Sequence, residues 1–192
     1  PAGAGGHSSL QVFRIHKAPD AAPGTPATSF PVELSPAHVT WVKDIPSAMC
    51  EFKNSILVGM GAEQGLAMFG WGKNRLLRQQ TLPNFPSRIT AIQVQDDTIC
   101  CSTAEHSVII VRHHVFDQNS GRAAALQSVH SIRSCFFFVA RDPTPRYLSA
   151  MCFVDSRTIA VADRFGNISI LRIPISLVTD CEDALINDEM LE

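Results

Sequence analysis

The sequence contains no apolar run long enough to cross a lipid bilayer. Its longest apolar stretches, such as Cys135–Ala140, fall far short of the roughly 20 residues that a membrane-spanning helix needs. Charged residues are also few, at 18% of the 192 positions, whereas apolar residues make up 45%. This composition is typical of a globular chain of about one domain and excludes an intrinsically disordered protein. We therefore expect a folded chain with no membrane contact.

A strong excess of positive charge is also missing. The formal net charge is −2, and residues 180–192 contribute six acids and no base, which leaves +4 on residues 1–179. So small a charge does not predict nonspecific binding to nucleic acids, since such binding depends on many cations facing phosphates. The acidic tail is expected to be solvated, or to form a short helix docked on a partner.

The six cysteines include no CxxC pair, and no secretory leader precedes them. Several lie within apolar runs, as small buried residues often do. We therefore expect reduced thiols in a cytosolic or nuclear protein. The chain begins at Pro1 rather than Met, so we also expect it to be a piece of a longer protein.

No stretch of ten or more residues shows helical periodicity from residue 39 onwards. Instead, apolar runs of about five to nine residues, rich in Ile, Val, Phe and Thr, alternate with turn signals such as Lys53-Asn54 and Asp155-Ser156. This pattern predicts an all-β chain of antiparallel hairpins.

Three segments repeat the same arrangement of strands and turns. Their middle strands, which are rich in small residues, begin at Ile56, Thr98 and Thr158, at spacings of about 42 and about 60 residues. The first spacing matches a four-stranded propeller blade and the second matches a blade with an insertion, although the Trp-Asp signature is absent. Two blades and part of a third cannot close a ring, so we expect other polypeptide to complete the propeller.

The stretch between residues 18 and 38 holds five of the 12 prolines, which favours a loop. The predicted organisation is a flexible lead-in at 1–9, a strand of a preceding blade at 10–17, a proline-rich loop or insertion at 18–43, a blade at 44–84, a blade with an insertion at 85–142, a partial blade at 143–174 and an acidic tail at 175–192.

Chemical motifs are weak throughout. The glycine-rich segment Gly59–Gly65 would suit a dinucleotide only if it opened a helix, and the alternating residues after it favour a hairpin turn instead. The adjacent His113 and His114 would face opposite sides of a strand, which does not suit a metal site. No GxSxG elbow is present. We predict no catalytic, cofactor-binding or metal-binding residues, and hence no enzyme and no cofactor.

The most specific sequence motif surrounds Asp163. The segment Ala162-Asp163-Arg164-Phe165-Gly166-Asn167 resembles the motif ADKFGN, and Leu171-Arg172-Ile173-Pro174 resembles the motif VVRLP that follows it. Arg146-Tyr147-Leu148 resembles the motif PRW that precedes ADKFGN, with Tyr147 in place of the usual Trp. In the ADKFGN-like segment, Arg164 stands in place of the usual Lys. Further matches occur in order along residues 44–174: Ile56–Gly61 with LIGVG, Gly72–Arg78 with GKKKLLR, Ile89–Gln93 with ISGIQ and Val111–His113 with WVRY.

These motifs resemble a family of multi-propeller scaffold proteins. It includes the large propeller subunit of the splicing factor 3b complex, the damaged-DNA-binding ligase scaffold and the large cleavage-and-polyadenylation specificity subunit. The resemblance implies a partial seven-bladed β-propeller with WD-repeat-like blades of four antiparallel strands, located in the third propeller of the parent protein. It also implies a non-catalytic, nuclear protein–protein scaffold in pre-mRNA splicing.

The resemblance further implies partners among the splicing factor 3b subunits, namely a large helical-repeat subunit and small subunits, within the branch-site-recognising small nuclear ribonucleoprotein. Contact with RNA would be indirect. Candidate partner contacts lie in the divergent region: Arg133, Arg141, Arg146 and Tyr147. We assign a structural role in the turn to four residues: Asp163, Arg164, Gly166 and Asn167.

Two other interpretations stay open. A sister scaffold would act in mRNA 3′-end processing or in a cullin ubiquitin ligase. More remotely, a nucleotide-dependent enzyme would use the Gly59–Gly65 turn.

Overall fold

The computed structural model describes residues 8–17, 32–115 and 134–174. These residues form antiparallel β-strands and no helix, so none of them provides a helix that could span a membrane. The all-β prediction is confirmed. The strands are β1 (Ser8–Lys17), β2 (Val32–Val42), β3 (Ala48–Phe52), β4 (Ser55–Gly59), β5 (Leu66–Gly72), β6 (Arg75–Leu82), β7 (Ile89–Gln95), β8 (Thr98–Thr103), β9 (Val108–Val115), β10 (Ser134–Arg141), β11 (Leu148–Asp155), β12 (Thr158–Asp163) and β13 (Ile168–Arg172).

The strands form four sheets, each ordered along the chain: β1-β2, β3-β4-β5-β6, β7-β8-β9-β10 and β11-β12-β13. A four-stranded antiparallel meander of this kind is the unit from which β-propellers are built. The architecture is that of a partial β-propeller, in which two complete blades are flanked by a two-stranded and a three-stranded sheet.

Short turns set the register of the first complete blade. Lys53 and Asn54 link β3 to β4, and Lys73 and Asn74 link β5 to β6; all four residues have a positive φ. Two successive residues with positive φ make the tight turn whose twist matches that of the flanking strands. Asn tolerates this conformation well, which explains its place in both turns.

The central strands are apolar on both faces because sheets lie against both faces. In β8, Ile99 and Cys101 belong to the apolar cluster shared with sheet β3–β6. Cys100, between them, belongs to the cluster shared with sheet β11–β13. Successive side chains of a strand point to opposite faces, so the run Ile99-Cys100-Cys101 serves both contacts. Both contacts are between neighbouring sheets: the first interface joins β3–β6 to β7–β10, and the second joins β7–β10 to β11–β13.

The β1–β2 hairpin covers part of the other face of sheet β3–β6. Leu10 and Val42 from the hairpin pack with Val58, Phe69 and Leu76. The hydroxyl of Thr40 in β2 also donates a hydrogen bond to the carbonyl of Leu76, at 3.1 Å.

The prediction of a proline-rich loop or insertion at residues 18–43 is wrong for residues 32–42, which form strand β2. Residues 32–42 pair with β1, although Pro36 lies among them. The pairing passes from Val12–His38 to Phe13–Pro36, which leaves a bulge at Ala37. A proline is tolerated here because β2 is the edge of its sheet and needs no further N–H donor at a bulge. The lead-in is also shorter than predicted, since β1 begins at Ser8.

Three sequence predictions fall outside the described residues. They are the remainder of the lead-in at 1–7, the proline-rich segment at 18–31 and the acidic tail at 175–192. Part of the insertion in the second blade, at 116–133, also lies there.

Candidate interaction surface

The glycine-rich segment is a hairpin turn between β4 and β5. The N–H of Met60 donates to the carbonyl of Gly65 at 2.9 Å, and the N–H of Gly65 donates to the carbonyl of Gly61 at 2.8 Å. Gly65 has a φ of +57°, and a Cβ atom there would clash with the carbonyl oxygen of Leu82. The turn opens strand β5 rather than a helix, so it lacks the helix N-terminus that a dinucleotide phosphate requires.

Arg146 is committed to contacts within the protein. Its Nε donates to Asp142 Oδ2 at 2.8 Å, and its Nη1 donates to Ser169 Oγ at 2.9 Å. Asp142 also accepts hydrogen bonds from the Ser107 hydroxyl at 2.7 Å and the Thr144 N–H at 3.0 Å. This polar clamp (Ser107, Asp142, Arg146, Ser169) joins the second blade to strand β13.

The clamp also sets the ionisation of its carboxylate. Partial burial raises the pKa of Asp142, but the hydrogen bonds from Ser107, Arg146 and the Thr144 N–H outweigh burial and hold it below its usual value. Asp142 therefore stays charged and keeps its pair with Arg146 at neutral pH.

Tyr147 follows the clamp in the chain and lies on the surface. Its ring meets Phe165 edge to face, with centroids 6.0 Å apart and an interplanar angle of 83°. Tyr147 is 46% exposed and Phe165 is 76% exposed. The Tyr147 carbonyl accepts a hydrogen bond from the Arg164 N–H at 2.9 Å, which attaches this loop to the β12–β13 turn.

Asp163 organises the β12–β13 turn. Its Oδ1 accepts from the N–H groups of Phe165 (2.8 Å) and Asn167 (2.9 Å), and its Oδ2 accepts from the Asn167 side-chain amide at 2.9 Å. These bonds, from the Asn167 side chain above all, lower the pKa of Asp163. Gly166 takes a φ of +87°, a conformation that few other residues adopt readily. The side chains of Arg164 and Phe165 project from this turn into solvent.

The other predicted contacts are less informative. Arg141 is exposed at the end of β10, and Arg133 lies outside the described residues. The structure thus brings Arg146 and Tyr147 to the Asp163–Asn167 turn. Among the described residues, no three His, Cys, Asp or Glu side chains are placed to share a metal ion.

A polar contact at the first interface is not visible in the sequence. Lys53 donates a hydrogen bond to Asp97 and lies 3.4 Å from His113 Nδ1. His113 is buried between the rings of Phe52 and Phe136, with centroids 5.1 and 5.2 Å away. Lys53 and Asp97 are 44 positions apart in the sequence, so only the stacking of the blades reveals their contact.

Burial affects the ionisation of this histidine. Desolvation, aided by the nearby Lys53 ammonium, lowers the pKa of His113 and outweighs the opposite effect of Asp97. Its Nε2 is buried and has no hydrogen-bond partner among the described residues. The neutral ring is therefore the favoured form in the folded protein.

The blades and their surface turns define a protein with the architecture of a partial β-propeller. The family model described as CPSF A subunit region matches residues 4–185, and the chain belongs to that family.

Individual relatives are splicing proteins by name. The chain is 32% identical over 146 residues to splicing factor 3B subunit 3 of Drosophila melanogaster and to spliceosome-associated protein 130 A of Arabidopsis thaliana, with 76% of this chain and 10% of each relative covered. It is 28% identical over 141 residues to the pre-mRNA-splicing factor RSE1 of Mycosarcoma maydis, with 73% of this chain and 10% of the relative covered. The chain thus spans about a tenth of the length of these relatives.

Proposed function

We propose that this chain is part of a non-catalytic scaffold in pre-mRNA splicing, the propeller subunit of the splicing factor 3b complex, and that it acts in the nucleus. The observation that carries the proposal is the similarity to named splicing factors over about three quarters of the chain. The fold supports it, since stacked blades offer a rigid platform whose loops can hold other proteins.

The partners proposed are the large helical-repeat subunit and the small subunits of that complex, with any RNA contact indirect.

Another proposed partner is the remainder of the propeller. The outward faces of the terminal sheets support this last point, because Trp41 is 70% exposed in β2 and Ile170 is 61% exposed in β13. Exposed apolar side chains that share one face of a sheet typically mark a surface that other polypeptide covers. We place the chain in the third propeller of the parent protein.

Affinity purification of the natural-length protein, followed by mass spectrometry, tests the proposal. Recovery of the splicing factor 3b subunits is the expected result. Recovery of polyadenylation factors or of a cullin ligase would keep the scaffold and refute the splicing role. A purified protein that hydrolyses or transfers a nucleotide would refute the non-catalytic assignment.

A matched variant makes the purification specific. Gly65→Val is expected to abolish recovery because the added side chain would meet the Leu82 carbonyl and disturb the first blade. Gly72→Ala is the control, since a Cβ atom there would find only Leu77 Cδ1, at the ordinary contact distance of 3.7 Å.

A further inference from the structure

The three sheets β3–β6, β7–β10 and β11–β13 each present one equivalent turn on the same side of the stack. This turn follows the second strand of the sheet: residues 60–65, 104–107 and 164–167. Its exposed tip carries Glu63 in the first blade and Glu105 in the second, but Arg164 and Phe165 in the third sheet. The third tip therefore differs from the others in charge and in hydrophobicity.

The next sheet does not cover these tips. The first turn accepts hydrogen bonds from the following sheet and the loop before it, from Ile89 N–H to the Met60 carbonyl at 3.1 Å and from Phe85 N–H to the Ala62 carbonyl at 3.2 Å. Glu63 nevertheless remains exposed. Glu105, in the equivalent turn at the second interface, is exposed as well. A further blade placed against sheet β11–β13 in the same way would therefore leave Phe165 in solvent.

The third tip is also held rigidly. Asp163 fixes its backbone through the bonds to Phe165 and Asn167, and Arg164 N–H ties it to the Tyr147 carbonyl. None of these bonds needs the side chain of Phe165. An exposed aromatic ring on a preorganised turn loses little conformational entropy on binding, which is typical of an interface hot spot.

We propose that Phe165, Tyr147 and Arg164 form a docking site for another protein, which presents a segment with a carboxylate beside an apolar side chain. Arg164 is exposed and makes no ion pair with the described residues. The neighbouring Asp163 is already engaged by the turn, and Asp142 of the polar clamp is paired with Arg146. One guanidinium beside apolar rings matches one carboxylate beside an apolar group.

An RNA strand fits this surface less well. Recognition of a nucleic-acid backbone needs several cations, whereas the site defined by these three residues contains one guanidinium, that of Arg164. The proposal rests on the scaffold function, since it assumes that the chain acts by holding partners.

Site-specific photocrosslinking tests the proposal in the natural-length protein within its purified complex. A photoreactive phenylalanine analogue is placed at residue 165, with the same analogue at residue 105 as the control. The expected product joins residue 165 to another protein, at a segment with Asp or Glu next to an apolar residue. Crosslinks to RNA, crosslinks only within the same chain, or no crosslink would overturn the proposal.

Affinity for the crosslinked protein gives the second measurement. Phe165→Ser is expected to weaken that binding by about 30-fold, the loss typical of a hot-spot truncation, and to leave the unfolding midpoint unchanged. Glu105→Ser should affect neither quantity. Equal losses for both variants would contradict the proposal.

The two proposals can fail separately. A complex that lacks every splicing protein refutes the scaffold function, whatever residue 165 contacts. A splicing complex that forms normally with Phe165→Ser refutes the docking site alone.

Discussion

The middle and the ends of the sheet stack have the same apolar character but different surroundings. In β4, Leu57 and Val58 face opposite ways and both are 0% exposed, because a sheet lies on each side. In β11–β13, Ile159 on the covered face is 1% exposed, whereas Ile170 on the outward face is 61% exposed. The end sheet thus has the composition of a middle sheet without the second neighbour. This difference supports the proposal that further blades cover the end sheet in the natural-length protein.

The largest effect is expected from truncating the middle of the stack. Ile99 is fully buried at the first interface, so Ile99→Ala should lower the free energy of unfolding by about 2–5 kcal/mol. In the natural-length protein, Ile170→Ala should cost a similar amount if a further blade covers it. Hydrogen exchange of the β8 and β12 amides would measure both losses. If Ile170→Ala leaves the free energy of unfolding of the natural-length protein nearly unchanged, the outward face of sheet β11–β13 is not covered there.

The polar clamp distinguishes the second interface from the first. Asp142→Ala leaves the buried Ser107 hydroxyl and Arg146 Nε without their shared acceptor, which should cost about 1–3 kcal/mol. Urea unfolding would measure the loss. The control is Glu51→Ala at an exposed position, which should change stability by less than about 0.5 kcal/mol. Equal effects of the two variants would show that the clamp contributes nothing.

The first interface should respond to pH through His113. Its pKa is lowered on folding, so the unfolded chain binds the proton more tightly and stability falls as pH drops below the unfolded value of about 6.5. The charged or titratable groups that act on the ring are Lys53, Asp97 and, from the opposite face of its own strand, His114. One such group changes stability by at most about 1.4 kcal/mol per pH unit.

Urea unfolding between pH 7 and pH 5 would measure this slope. His113→Phe should remove part of it, because the replacement packs with Phe52 and Phe136 but takes up no proton. An unchanged slope in the variant would show that His113 does not titrate in this range. Asp97, whose pKa lies below its usual value, contributes at more acidic pH.

The sequence was sufficient for the repeated blades and insufficient for the contacts between them. Alternating apolar residues and Asn-containing turns predicted the strands, since both act over a few positions. Pro36 misled the prediction for residues 32–42, because an edge strand with a bulge tolerates a proline. The motif around Asp163 marked a turn, but the exposure of Phe165 and the internal role of Arg146 depend on how the sheets stack. The Lys53–Asp97 contact depends on it too.

Reactivity of Cys152 tests most directly the claim that further blades complete this stack. Cys152 lies on the outward face of sheet β11–β13, opposite Ala160, and its side chain is exposed. The native natural-length protein would be treated with a maleimide, and each cysteine peptide would be quantified by mass spectrometry. We predict that Cys152 is protected like the buried Cys100 and Cys101. Modification of Cys152 as rapid as in the urea-unfolded protein would contradict the account.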